Sequence, residues 1–99
     1  MTHYDWTQII PEQLNPHTTR KAIHSGNMTI ARLELRKDAQ VAEHSHHNEQ
    51  IKFAIDGGHK VVRAGETLVF PPNVPHGVVA LEDTVVFDAF APRRDDRPR

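Results

Sequence analysis

Apolar and polar residues alternate along several short stretches of this chain, with turn residues between them. Residues 28–36 show the pattern, because the charged Arg32, Glu34 and Arg36 are set between apolar neighbours. A period of two is typical of a β-strand with one buried face. Residues 84–91 form the most hydrophobic stretch, and no segment has a helical period. The sequence therefore predicts an all-β sandwich or barrel.

Four further stretches have strand-like composition: residues 18–23, 51–55, 67–70 and 78–81. The turn at Asp56-Gly57-Gly58 contains residues that tolerate a positive φ, so residues 51–55 and 59–63 are expected to pair as a hairpin. The histidine-rich residues 42–50 are expected to form one extended strand.

The length of 99 residues and a hydrophobic content of 37% allow one domain with a modest core. We expect residues 1–99 to form this single domain, with residues 1–17 as an N-terminal arm. Residues 92–99 are charged and contain proline, and we expect them to be a flexible tail.

Charge and cysteine content narrow the possible functions. A formal net charge of −1 gives no electrostatic case for a nucleic acid or an anionic membrane as partner. No apolar run approaches the length of a membrane span. The absence of cysteine excludes disulfides and thiolate metal sites, and it fits a cytoplasmic protein. Any metal ion must be bound by nitrogen and oxygen.

Three histidines, two carboxylates and two amides lie within residues 42–50. On one continuous strand His44, His46 and Gln50 would share a face, whereas His47 would point to solvent. Two imidazoles would then converge on one point. This arrangement indicates a metal site, although hydrogen-bonded histidines without a metal are the alternative.

A third imidazole can come from His76, which ends a proline-rich segment at residues 70–76. The prolines stiffen the backbone and fix the direction from which this histidine approaches. Three neutral imidazoles suit a divalent transition metal such as Zn, Ni, Fe, Mn or Cu, and they leave coordination positions open for a substrate.

Two motifs in this chain resemble the paired motifs of the cupins. The part similar to the first motif is His44-Ser45-His46 with Gln50 and Gly57, and the part similar to the second is Gly65, Pro71-Pro72-Asn73 and His76. The resemblance implies a cupin jelly-roll with a metal at the barrel mouth, bound by His44, His46, Gln50 and His76. Most cupins carry glutamate where Gln50 stands. Glu49 is adjacent but lies on the wrong face by strand parity, so Gln50 is the expected oxygen ligand.

Within the cupins, the chain resembles the small KdgF-type proteins of pectin and alginate breakdown. The similar segments are residues 44–50, 71–76, 81–84 and 88–94. Such enzymes convert 4,5-unsaturated uronate monosaccharides to linear keto forms. The resemblance implies that Asp88 and Arg94 are catalytic and that Phe90 lies in the substrate pocket.

The residues themselves allow this chemistry. Strand parity places Asp88 and Phe90 on one face, where Asp88 could transfer protons and Phe90 could stack on a sugar ring. Arg94, or Arg93 beside it, could bind a carboxylate with two parallel hydrogen bonds. Three imidazoles and an amide carry no charge, so a divalent ion would favour a small anionic substrate. The alternatives are a salt bridge for Asp88, a core position for Phe90 and a solvated tail for the arginines.

The region between the two motifs is short for such a cupin, since only seven residues separate Gly57 from Gly65. We therefore expect that one strand or hairpin is missing. A small core and unpaired strand edges favour a homodimer, with the apolar stretch around Trp6 and Ile9 at the contact. Two other functions stay open: a metal-dependent dioxygenase, and a non-enzymatic cupin that binds a metal or ligand.

Overall fold

The computed structural model describes residues 1–58 and 62–94, and these residues contain β-strands and a single short 3₁₀ helix, Trp6–Gln8. The strands are β1 (Glu12–Asn15), β2 (Thr18–His24), β3 (Thr29–Leu35), β4 (Gln40–His44), β5 (Glu49–Asp56), β6 (Thr67–Phe70), β7 (His76–Val79) and β8 (Thr84–Ala91). The prediction of an all-β chain is confirmed. A search of the described residues for a helix long and apolar enough to cross a membrane finds none.

The strands form two antiparallel sheets. The larger sheet has six strands in the order β1-β2-β3-β8-β5-β6, and the smaller sheet pairs β4 with β7. Neighbours in the larger sheet come from distant parts of the chain, as β8 lies between β3 and β5. This arrangement is consistent with the expected jelly-roll.

The core lies between the inner face of the larger sheet and the smaller sheet. Strand β8 alternates strictly, with every second residue from Thr84 to Phe90 buried. Val86 of β8 lies opposite Leu33 of β3 and Ala54 of β5. Seven buried apolar residues form the core cluster: Leu35, Ala39, Ala54, Val62, Val78, Ala80 and Val86. Alternation in the sequence thus identified the buried face of the central strand correctly.

The outer face of the larger sheet is partly covered by the N-terminal segment. Trp6 meets Phe87 edge to face, with 5.4 Å between the ring centroids, and Phe87 stacks on Phe53 at the same distance. Within the expected N-terminal arm, Glu12–Asn15 pairs with β2 as an edge strand. Part of this arm is therefore built into the sheet.

The predicted hairpin between residues 51–55 and 59–63 is wrong. Residues 51–53 pair with β6 on one side and with β8 on the other, and beyond them Gly58 forms an isolated antiparallel bridge with Arg63. The chain turns away at Gly57, whose φ is +69° and where a Cβ would clash with the carbonyl oxygen of Asp83. Residues 59–61 lie outside the described part of the chain.

The expected continuous strand over residues 42–50 is also wrong, because β4 ends at His44 and β5 begins at Glu49. The intervening loop carries the chain from the smaller sheet to the larger one. Of the expected flexible tail, residues 92–94 are described and residues 95–99 are not.

Candidate metal centre and its cavity

Three histidines from two strands and a loop come together at one end of the molecule. His44 closes β4, His76 opens β7 directly opposite it, and His46 lies in the loop before β5. One ring nitrogen from each lies within 4.8 Å of those of the other two. The structure therefore brings together the three histidines that the sequence predicted as ligands. The alternation of a single strand, on which that prediction was based, does not continue across the loop.

Each of these rings is held by a backbone carbonyl two residues away. Nδ1 of His44 lies 2.9 Å from the carbonyl oxygen of Ala42, Nδ1 of His46 2.9 Å from that of Asn48, and Nδ1 of His76 2.9 Å from that of Val74. A carbonyl oxygen only accepts, so Nδ1 carries the proton and Nε2 keeps its lone pair. This is the usual second hydrogen bond of a metal-binding histidine.

The Nε2 atoms of the three rings are the candidate ligand atoms. His76 Nε2 is buried and has no hydrogen-bond partner within the described residues. His46 Nε2 lies 3.0 Å from Gln50 Oε1, which also can only accept. Two acceptors this close need a positive charge between or on them, either a proton on the imidazole or a metal ion. The donor set thus fits a divalent ion bound by His44, His46, His76 and Gln50.

The environment of His76 favours its neutral form. Burial lowers the pKa of His76, the hydrogen bond to Val74 acts in the opposite direction, and the nearby His44 and His46 lower the pKa further. Since only a neutral imidazole can bind a metal, these effects keep the ligand available at neutral pH.

A glycine allows the two paired histidines to approach. A Cβ on Gly77 would lie 2.9 Å from the carbonyl oxygen of Val41 and 3.1 Å from the backbone nitrogen of Glu43. The pairing of β4 with β7 shifts register between Val41 and His44, at the same level. The two strands of the smaller sheet therefore approach closely beside the candidate metal ligands.

A cavity of about 440 Å³ opens beside the histidines and runs along the inner face of the larger sheet. Asp88 and Phe90 line it, as does Arg94, whose guanidinium carbon lies 4.9 Å from the centre of the Phe90 ring. The predicted sharing of one face by Asp88 and Phe90 is confirmed. Arg93 is exposed, donates from Nη1 to the carbonyl oxygen of Ser25, 3.2 Å away, and is not among the residues that line this cavity.

Comparison with solved structures shows which proteins share this fold. KdgF from Halomonas sp. superposes with a TM-score of 0.91 at 27% sequence identity, and the match covers 99% of this chain and 99% of that one. The chain therefore has the fold of a small cupin and is similar to KdgF along its length. An RmlC-like cupin from Shewanella frigidimarina (TM-score 0.87, 24% identity, 97% and 96% covered) shares the fold. So does the polyketide cyclase RemF from Streptomyces resistomycificus (0.79, 20%, 93% and 79%).

No protein-family model matches this cupin, and no curated protein sequence matches it. The match to the Halomonas structure extends over nearly the full length of both chains. The expectation that one strand or hairpin is missing between the two motifs stays a prediction.

Sequence reasoning missed two cations that line the cavity of this cupin. Lys52 is 4% exposed, and its Nζ lies 3.3 Å from Asp88 Oδ2. Arg20 of β2 is also buried and forms an ion pair with Glu12 of β1 at 3.0 Å. The parity of β5 could have found Lys52, because it shares the face of Gln50.

Sequence reasoning also missed Asn48, which is fully buried behind the histidine loop. Its carbonyl oxygen accepts from His46, and its side-chain Nδ2 donates to the carbonyl oxygen of Pro92 at 2.6 Å. Asn48 therefore ties the histidine loop to the segment that carries Arg94. A single asparagine in a polar loop has no pattern that would have marked it.

Proposed function

We propose that this cupin is a metal-dependent enzyme that converts 4,5-unsaturated uronate monosaccharides to their linear keto forms. The observation that carries the proposal is that His44 and His76 line the same cavity as Asp88, Phe90 and Arg94. The similarity to KdgF from Halomonas sp. over the full length of both chains supports the choice of substrate.

The metal would be bound by Nε2 of His44, His46 and His76 together with Oε1 of Gln50. When bound, a divalent ion such as Zn²⁺, Ni²⁺, Fe²⁺, Mn²⁺ or Cu²⁺ supplies a Lewis-acidic positive charge that none of these neutral ligands cancels. An anionic oxygen is the preferred occupant of such a site.

The charges along the cavity favour an anionic substrate. Arg20, Lys52 and Arg94 are the cationic lining residues, and Glu43 and Asp88 are the anionic ones. Arg20 and Lys52 have carboxylate partners in the sheet. Arg94 lies over the face of Phe90, where a planar guanidinium can bind the carboxylate of a sugar acid while the ring supports the sugar.

The reaction is an isomerisation and needs no oxidant. The C1 hydroxyl of the cyclic uronate loses its proton as the bond between C1 and the ring oxygen breaks. This step leaves an aldehyde at C1 and an enolate across C4 and C5, and protonation at C4 gives the 5-keto form. Asp88 is the carboxylate that lines the cavity next to Gln50. We assign to Asp88 the relay of the proton that the C1 hydroxyl loses.

The test is the loss of the conjugated-enol absorbance of a 4,5-unsaturated monouronate. Metal-loaded protein should remove this absorbance well above the spontaneous rate, and protein treated with a chelator should not. Metal-loaded protein that leaves the spontaneous rate unchanged would exclude the uronate assignment. Oxygen uptake without a change in absorbance would favour a dioxygenase instead.

We also propose that this cupin is a cytoplasmic homodimer. Several large apolar side chains of the outer sheet face and the N-terminal segment are exposed: Ile10, Ile51, Ile55 and Val69. Burying them against a second copy would remove apolar surface from water. Light scattering at micromolar concentration tests the dimer, and a monomer mass would contradict it.

A further inference from the structure

A chain of contacts links the buried Lys52 to the metal centre. Lys52 Nζ contacts Asp88 Oδ2 at 3.3 Å, Asp88 Oδ1 accepts from Gln50 Nε2 at 2.8 Å, and Gln50 Oε1 faces His46 Nε2 at 3.0 Å. Lys52, Asp88 and Gln50 are all buried, so little solvent competes for these contacts. The two oxygens of Asp88 are thus divided between one ammonium and one amide.

The orientation of the Gln50 amide decides what this side chain offers to a metal. Oxygen and nitrogen occupy similar positions in an amide, and only the oxygen is a ligand. In the reversed orientation the NH₂ group would donate to His46 Nε2 and occupy the lone pair that a metal needs. A glutamate at this position would have an oxygen on both sides and would need no such control.

We propose that Lys52 is a positioning residue that, through Asp88, turns the oxygen of Gln50 toward the three histidines. This inference rests on the proposed metal site. The Lys52 ammonium occupies Oδ2 of Asp88 and holds the carboxylate in the rotamer that presents Oδ1 to Gln50 Nε2. The amide oxygen is thereby left facing His46.

The direction in which the metal affinity changes when Lys52 is removed distinguishes this role from a purely electrostatic one. A cation near a metal site repels the ion, so removing Lys52 would tighten metal binding if charge were its only effect. If Lys52 positions Gln50, its removal weakens metal binding. Residues that orient metal ligands typically contribute about 10- to 100-fold to affinity.

The experiment measures the affinity for Zn²⁺ by competition with a chelator, without substrate, in wild type and in Lys52→Met. We expect Lys52→Met to bind Zn²⁺ about tenfold more weakly. The visible spectrum of bound Co²⁺ should also change, because the oxygen ligand is lost from its coordination shell. An unchanged or higher Zn²⁺ affinity would overturn the inference.

Arg20→Met is the matched control. Arg20 is a buried cation that lines the same cavity and has its own carboxylate partner, Glu12, with no contact to Gln50 in the described structure. Its removal should leave the Zn²⁺ affinity unchanged or slightly higher. An equal loss of affinity in Arg20→Met and Lys52→Met would show a general effect of repacking the cavity and would overturn the inference.

Should Lys52→Met fail to fold with Asp88 left unpaired, Lys52→Gln provides the second variant. Its amide can still donate to Asp88 but has no net charge, so the Zn²⁺ affinity should fall by a smaller factor in the same direction. Higher affinity in this variant would overturn the positioning role. Wild type that binds no Zn²⁺ would refute the metal site itself, whereas inactivity toward a uronate would leave the positioning role standing.

Discussion

The two sheets of this cupin place functional side chains in different ways. In the larger sheet, β3 and β8 pair without interruption over seven residues, and strict alternation brings Asp88 and Phe90 to the inner face. In the smaller sheet, the pairing of β4 with β7 shifts register just before His44. There, each histidine is oriented by its own bond to a nearby carbonyl oxygen.

This difference separates the substrate side of the site from the histidines of the smaller sheet, whereas Gln50 lies on β5 of the larger sheet. The side chains of the larger sheet are fixed by the pairing of whole strands, so disturbing them changes packing as well as chemistry. The ligands of the smaller sheet are fixed one at a time by local contacts. Substitution of these histidines should therefore change metal binding more than it changes the fold.

The largest expected effect is the loss of a metal ligand from the loop beside the smaller sheet. His46→Ala should reduce the metal content of dialysed protein from about one ion per chain to background, because one of three imidazoles is lost. His47→Ala is the matched control, since His47 is adjacent but exposed. Elemental analysis gives the result, and an unchanged metal content in His46→Ala would show that the site is wrongly assigned.

Metal removal from the wild type should also lower the melting temperature. A ligand that binds only the folded state stabilises it by about 2.7 kcal/mol at 100 times its dissociation constant. Thermal unfolding with and without a chelator measures this effect. The difference should disappear in His46→Ala, and a difference that persists there would place the metal elsewhere.

On the larger sheet, Asp88→Asn should reduce turnover more than it weakens substrate binding. The amide retains the size and polarity of the carboxylate but cannot transfer a proton, so turnover should fall by about 10²–10⁴-fold. The decay of uronate absorbance, measured with metal content matched to wild type, gives the comparison. Equal rates in the two proteins would remove Asp88 from the mechanism.

A smaller effect is expected at Gly77, where the two strands of the smaller sheet approach closely. Gly77→Ala places a Cβ against the backbone of the paired strand and should cost about 1–3 kcal/mol of unfolding free energy. Gly26→Ala is the control, because its Cβ would meet no atom within 4 Å and should change stability by less than about 0.5 kcal/mol. Equal stabilities in denaturant would show that the strands can separate without cost.

The smallest effect concerns pH. Because burial lowers the pKa of His76 in the folded state, the unfolded chain binds this proton at a higher pH than the folded chain does. The contribution of neutral His76 to the stability of the fold is fully present when the pH is above the ordinary histidine pKa. This contribution is lost as the pH falls from there toward the lowered pKa of the folded state. Metal-free protein should therefore melt at a lower temperature at about pH 5.5 than at about pH 7.5. His76→Asn should show a weaker dependence, and an equal dependence would assign the effect to other groups.

The sequence predicted the larger sheet better than the smaller one, for a physical reason. A period of two marked the buried faces of β3 and β8. Gln50 is the inward residue of β5 as expected, although the parity that selected it assumed one continuous strand over residues 42–50. The histidines were recognised by residue type, while the strand expected to carry them is broken in the structure. Loop geometry around His46 depends on contacts with Asn48 and Pro92 that are distant in sequence.

The partner of each strand was beyond the sequence pattern, and the burial of Lys52 could be inferred only from the parity of β5. The turn at Gly57 was recognised, but which strand would pair with β5 depended on competition among all the strands of the sheet. Lys52 resembled an ordinary solvent-facing lysine in an alternating strand. Its burial depends on the carboxylate of Asp88, which lies 36 residues further along the chain.

The carbonyl bonds that hold the three imidazoles have a consequence for the kinetics of metal uptake. The rings are already turned toward a common point, so an incoming ion meets its ligands without a slow rearrangement of the backbone. The rate of uptake at the proposed metal site should then be governed by how fast the ion sheds its water molecules. In a mixture of metals, rapidly exchanging Zn²⁺ would occupy the protein before slowly exchanging Ni²⁺, whichever of the two is finally bound more tightly.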